Sequence, residues 1–127
     1  NAIQNVMLPM IFQNIPKQDR IKRAKELLKL VNLEHRAHHL PTELSGGERQ
    51  RIAIARALIN NPEIILADEP TGNLDSKTGE EILNLLIKLN KQGSTILMIT
   101  HNQNIAKKAN KTIKIIDGVI KKWKNYY

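Results

Sequence analysis

From Ser45 onward the chain alternates between two hydrophobic periods, and that alternation limits the architectures open to it. Ser45 to Asn60 carries Ile52, Ala55 and Ile59 on one helical face, with Pro62 just beyond its end. Ile64 to Ala67 is a short apolar run suited to a buried strand. Ser76 to Lys91 returns to helical spacing through Ile82, Leu85, Leu86 and Leu89, and Gly93 sits where a C-cap glycine belongs. Ser94 to Thr100 is again β-rich and apolar, so helix, strand, helix and strand follow one another as they do around a parallel sheet. Thr112 to Ile116 and Val119 to Trp123 flank Asp117-Gly118, a hairpin signal. The fold class read from these patterns is α/β.

The first third differs. Ile21, Ala24, Leu27, Leu28 and Val31 form one apolar stripe along Asp19 to Val31, opposite Lys22, Arg23, Lys25 and Lys29, which predicts an amphipathic helix. Ala2 to Phe12 is apolar but interrupted by Pro9, and Pro16 lies in a polar loop. A second polar stretch, His35 to Glu43, ends at Pro41-Thr42. A small helical unit is expected here.

The 127 residues, 41% of them hydrophobic, suffice for one ordinary domain or a piece of a larger one. No apolar run approaches the roughly 20 residues that span a bilayer, so a membrane role would come through a partner. With no cysteine there is no disulfide framework and no thiolate metal site, which fits a reducing compartment. The N-terminus, Asn1-Ala2-Ile3-Gln4, lacks the features of a targeting peptide and reads as a cut in a longer chain. A formal net charge of +8 would suit a nucleic acid or an anionic surface. The cations, however, are spread through Lys17 to Lys29, Lys107 to Lys114 and Lys121 to Lys124 at helix or strand spacing, with only Trp123, Tyr126 and Tyr127 nearby. Solvated faces account for them, and no nucleic-acid partner is expected.

Leu44-Ser45-Gly46-Gly47-Glu48-Arg49-Gln50-Arg51 carries the most chemical information. Ser45 and Glu48 form the Ser-x-x-Glu capping box, and the paired glycines strip side chains from the first helical turn. Exposed N–H groups at the positive end of a helix dipole suit an anion, although an ordinary cap with tolerated glycines explains the same four residues. The whole string resembles the signature motif of ATP-binding cassette (ABC) proteins. The resemblance implies that Ser45, Gly46 and Gly47 touch the γ-phosphate of a nucleotide held by the opposite subunit. Glu48, Arg49, Gln50 and Arg51 would shape the helix start and the dimer seam.

Ile64-Ile65-Leu66-Ala67-Asp68-Glu69-Pro70 follows, an apolar strand carrying two carboxylates to its C-terminal end, where open α/β sheets bind ligands. Asp68 resembles the Walker B aspartate, which holds Mg²⁺ through its water shell. Glu69 resembles the catalytic base that polarises the attacking water. Asn73, Leu74 and Asp75 occupy the position of the D-loop, which couples the two sites of a dimer, while Asp75 or Ser76 also suits the cap of the next helix. His101, just after the second apolar strand, resembles the switch histidine that contacts the γ-phosphate and helps hold Glu69. His35, His38 and His39 lie in a polar loop and are not expected to form a metal site. Gln13 is not the family's Q-loop glutamine, which would precede Asn1.

No G-x-x-x-x-G-K-[ST] occurs, so the phosphate-cradling loop is absent from these residues. The expected fold is therefore an incomplete P-loop NTPase (RecA-like) parallel sheet with part of an α-helical subdomain. Residues 1–44 would belong to that subdomain, and 45–127 would form the C-terminal half of the nucleotide-binding core and leave an exposed sheet edge. The implied parent is a peripheral ATPase at the cytoplasmic face of the cell membrane, using ATP and Mg²⁺, paired with a second copy of itself and a transmembrane permease subunit. These 127 residues alone are expected to be inactive. Part of Val6 to Phe12 would dock the permease, and Ala67 to Asp75 look most like exporters of the lipoprotein-release, macrolide and antimicrobial-peptide group. The alternative is a soluble cassette ATPase acting on ribosomes or DNA.

Overall fold

Three of the four long helices begin on a side chain that answers their own unpaired N–H groups. In the computed structural model, which describes residues 1–125, these are Asn1 for α1 (Ala2–Phe12), Ser45 for α3 (Gly46–Leu58) and Asp75 for α4 (Ser76–Lys91). The fourth, α2 (Lys17–Leu30), starts after Pro16, whose ring presets the backbone at a helix entrance. Between α2 and α3 the polar stretch forms two 3-10 turns, Glu34–Arg36 and Pro41–Glu43. The rest alternates as expected: β1 (Ile64–Asp68), α4, β2 (Thr95–Ile99), the short α5 (Gln103–Ala106), and a hairpin of β3 (Lys111–Ile116) and β4 (Val119–Asn125). Tyr126 and Tyr127, weighed above beside the C-terminal lysines, lie outside the described residues.

Pro9 does not break its segment, because α1 runs through it. Buried Ala2, Ile3 and Val6 anchor the helix against its neighbours, and the capping box of Asn1 and Gln4 starts it. The turn at residues 37–39 adds two backbone bonds to its N-terminal end, Ala2 N–H to the His39 carbonyl (3.0 Å) and Ile3 N–H to the Ala37 carbonyl (2.9 Å).

One apolar cluster joins the helical elements to the sheet. It takes Ala24, Leu27 and Leu28 from α2, Ile52, Ala55 and Leu58 from α3, and Ile82, Leu85, Leu86 and Leu89 from α4, with Ile65 from β1. Complete burial of a side chain such as Leu28 or Ile82 stabilises the fold by roughly 1.5–3 kcal/mol. At the end of α4 the Gly93 N–H donates to the Asn90 carbonyl and the Ser94 N–H to the Leu89 carbonyl. Gly93 takes φ +105°, so the helix stops as a Schellman motif and the chain turns into β2.

The strands β1 and β2 pair in parallel, from Ile64 opposite Thr95 to Asp68 opposite Ile99, and make a two-stranded sheet. Its flanks are unpaired among the described residues, as the sequence led one to expect. A face is open as well as the flanks. Ile65, Ala67, Ile96 and Met98 are buried or half-buried, whereas Ile64, Leu66, Leu97 and Ile99 are exposed, Leu66 by 74%. An apolar parallel sheet normally has both faces covered, and here only one is. The hairpin forms a separate sheet, turned by Asp117 (φ 50°) and Gly118 (φ 73°), the two left-handed residues of a type I′ turn. Among the described residues no helix is long and apolar enough to cross a membrane.

Candidate functional site

The register of the parallel pair decides what meets at its C-terminal end. With Asp68 opposite Ile99, the next residues out are Glu69 on one side and Thr100 and His101 on the other. The Glu69 N–H donates to the Ile99 carbonyl at 3.0 Å, which carries the ladder one bond past β1. Glu69 then turns sharply with φ 41°, a left-handed conformation rare for a residue with a side chain and concentrated at functional sites. The Gly72 N–H closes the turn on the Glu69 carbonyl at 3.0 Å.

That turn aims the carboxylate of Glu69 across the strand ends. One oxygen, Oε1, accepts from the His101 backbone N–H at 2.7 Å and lies 2.7 Å from His101 Nδ1. The other, Oε2, accepts from the Thr100 hydroxyl at 3.3 Å. The backbone N–H of His101 and then its ring hold the Glu69 carboxyl below the usual glutamate range, against a small opposing effect of desolvation. Such a group is ionised at neutral pH, as an acceptor of a proton or a water hydrogen must be. The bonds that stabilise its charge also lower its basicity. The His101 ring is 87% exposed and keeps its far nitrogen toward solvent.

Asp68 ends β1 with its side chain exposed and makes no side-chain hydrogen bond to the described residues. Its hard oxygens are free to take a hydrated cation, which fits Mg²⁺ bound through water. Among the described residues no group of three or more His, Asp or Glu side chains forms a metal cluster, and His39 instead contacts Arg36.

The second half of the site is the start of α3. The Ser45 hydroxyl accepts from the Glu48 N–H (3.2 Å), and Glu48 Oε2 accepts from the Ser45 N–H (2.8 Å). The N–H groups of Gly46 and Gly47, first in the helix, have no intrahelical acceptor, Gly46 being half-buried and Gly47 buried. The Ser45 backbone bond, then the Ser45 hydroxyl and the Arg36 guanidinium, hold the Glu48 carboxyl low against partial burial. A Cβ on Gly46 would lie 3.3 Å from Leu74 Cδ2, and one on Gly47 would overlap the Thr78 methyl. The glycines therefore let α3 approach the turn at 71–75 and the first turn of α4, where Asp75 accepts from the Thr78 N–H at 3.0 Å. Gln50 is half-buried and Asn73 exposed, and neither side chain makes a hydrogen bond to the described residues.

Two groups at this site were not read from the sequence. Thr100 carried a signal in its place beside His101 at the strand end. Arg36, whose Nε donates to Glu48 Oε1 at 3.1 Å, carried none, since a cation in a polar turn twelve positions away is unremarkable in a sequence.

The family model for the ABC transporter matches residues 3–72. The chain belongs to this family. It is 56% identical over 94% of its length to an uncharacterized ABC transporter ATP-binding protein of Thermotoga maritima, of which it covers 51%. It is 52% identical, again over 94% of its length, to the macrolide export ATP-binding/permease protein MacB of Mannheimia succiniciproducens, of which it covers 18%. Among solved structures, a dimeric post-hydrolysis state of the ATP-binding cassette MJ0796 bound to ADP and phosphate superposes with a TM-score of 0.83 at 49% identity. That superposition covers 98% of this chain and 56% of the other. The fold is thus that of an ABC ATPase cassette, a P-loop NTPase present in part, with macrolide-exporter proteins among its relatives. The chain spans about half the length of the curated ATP-binding proteins it matches.

Proposed function

We propose that this chain is the C-terminal part of a peripheral ATPase subunit that hydrolyses ATP as a two-fold dimer and powers export through a partner membrane permease. The observation that carries the reading is the meeting of Glu69 and His101 at the end of the parallel pair, beside the exposed carboxylate of Asp68. In this reading Glu69 orients and polarises the attacking water. His101 holds Glu69 and offers its exposed nitrogen to the γ-phosphate. Asp68 holds Mg²⁺ through water, and the ion when bound neutralises phosphate charge.

Ser45, Gly46 and Gly47 close over the nucleotide of the opposite subunit, presenting free N–H groups to its γ-phosphate, while Glu48 and Gln50 shape that surface. Asn73, Leu74 and Asp75 couple the two sites across the seam, from a turn that lies beside the start of α3 in the same chain. Residues 1–44 serve as part of the helical subdomain and 45–127 as the C-terminal half of the core. Assembly as a dimer is favoured by the dimeric state of MJ0796, and export by the likeness to MacB; the cytoplasmic face of the membrane is the location this reading assigns.

Steady-state phosphate release, measured beside dimerisation, tests the reading. The full-length protein should hydrolyse ATP only with Mg²⁺, and residues 1–127 alone should release no phosphate above background. Glu69→Gln should lower turnover by about a hundredfold or more while ATP-driven dimerisation persists. Asp68→Asn should weaken Mg²⁺-dependent binding as well. Near-normal turnover in Glu69→Gln would remove Glu69 from this role.

A further inference from the structure

The carboxylate of Glu48 is held at both oxygens by different parts of the chain. Oε2 accepts from the Ser45 N–H at 2.8 Å, and Oε1 accepts from Arg36 Nε at 3.1 Å. Rotation of a carboxylate about its last bond is soft, so one hydrogen bond leaves the plane of the group free to swing. A second bond on the other oxygen stops it. The guanidinium makes a further contact, Nη1 lying 2.9 Å from His39 Nε2, and the planar Arg fork fixes the two partners at set angles where the flexible ammonium of a Lys does not.

Arg36 is itself seated rigidly. It ends the 3-10 turn Glu34–Arg36, its N–H donates to the Leu33 carbonyl at 3.0 Å, and its carbonyl accepts from the His39 N–H at 3.0 Å. The adjoining Ala37 and His39 carbonyls take the first two N–H groups of α1. The side chains of Arg36 and Glu48 are 38% and 22% exposed, so the pair is less screened than one on an open surface. By contrast Arg51–Glu81, another ion pair made by α3, reaches α4 and does not touch the Ser45 turn.

We propose that Arg36 is a positioning residue for the Ser45-Gly46-Gly47 turn, acting through Glu48 to fix the hydroxyl and N–H groups that face the nucleotide. The consequence for catalysis rests on the function proposed above. The consequence for the turn does not. Loss of Arg36 frees the Glu48 carboxylate, loosens the Ser45 cap and blurs the position of the Gly46 and Gly47 N–H groups. Because ATP would be seated by a phosphate loop elsewhere, this lowers kcat and leaves the ATP concentration for half-maximal rate unchanged.

Amide hydrogen exchange on the full-length protein, resolved at Ser45 and Glu48, is read together with kcat and half-saturation. Arg36→Ala should speed exchange at those two amides about tenfold, the scale of one charge-assisted bond, with α4 unaffected. It should lower kcat several-fold at constant half-saturation. Arg36→Lys should fall between Arg36→Ala and the unaltered protein, and Lys108→Ala, which removes an ion pair to Glu80 on α4, should leave the Ser45 turn unchanged. In combination with Glu48→Gln, Arg36→Ala should add little to the single effects, as partners in one network do. Exchange at the turn within twofold of the unaltered protein, a uniform rise across the whole chain, or full additivity with Glu48→Gln overturns the proposal. If the unaltered protein hydrolyses no ATP, the proposed function fails, while the exchange measurements still decide the role of Arg36.

Discussion

His101 reaches Glu69 twice, through its backbone N–H and through Nδ1, both 2.7 Å from the same carboxylate oxygen. An ionised carboxylate only accepts, so Nδ1 carries its hydrogen and the other ring nitrogen is left for a partner from solvent. The backbone N–H, then the ring, and lastly the Thr100 hydroxyl hold the Glu69 carboxyl below the ordinary range. A group with a depressed folded-state value contributes stability that is fully present above the unfolded glutamate value, about 4.3, and is lost as pH falls through the lower folded value. Carbon-13 NMR should therefore place the Glu69 midpoint below that of a free glutamate. His101→Ala should raise it part of the way, since the backbone donor remains. An unchanged midpoint in His101→Ala would mean that the ring does not hold the carboxylate.

Gly47 is required by packing as well as by any ligand. A methyl at this position would overlap the Thr78 side chain, on a residue whose backbone N–H is held by the Asp75 cap. Helix propensity alone would make Gly47→Ala stabilising by up to about 1 kcal/mol, whereas overpacking costs about 1–3 kcal/mol. The sign of the change separates the two effects. Urea unfolding should show Gly47→Ala destabilised, and Thr78→Ala in the same background should recover most of the loss. A neutral or stabilising Gly47→Ala would show that α3 and α4 are not in close contact here.

Within the apolar run of α1, Val6 is fully buried and Met7 and Met10 pack on the core, but Leu8, Ile11 and Phe12 are exposed, Phe12 by 78%. Photo-cross-linking groups at Leu8 or Phe12 in the intact complex should capture the permease, and one at Met7 should capture it far less. Products confined to the ATPase chain would end the assignment of this face to docking.

What the sequence determined by itself was local. The bounds of α4, the Ser45 and Asp75 caps, the Gly93 stop and the Asp117-Gly118 turn each depend on residues within one helical turn or one hairpin, so their chemistry is legible in order along the chain. The alternation after Ser45 likewise predicts the parallel pair, because continuous apolar runs between helices read as strands of a parallel sheet, although only one face of this sheet is covered. Three features were decided only by tertiary structure. Pro9 sits inside α1 because buried Val6 and its neighbours outweigh a local breaker. Glu69 meets Thr100 and His101, more than thirty positions away, because the register of β1 on β2 brings their ends together and the left-handed turn at Glu69 points its side chain across. Arg36 finds Glu48 because a 3-10 turn folds back onto the start of α3. In each case the partner is chosen by how separate elements pack, which leaves no periodic trace in the sequence; the approach of His101 to Glu69 was expected only through the family resemblance.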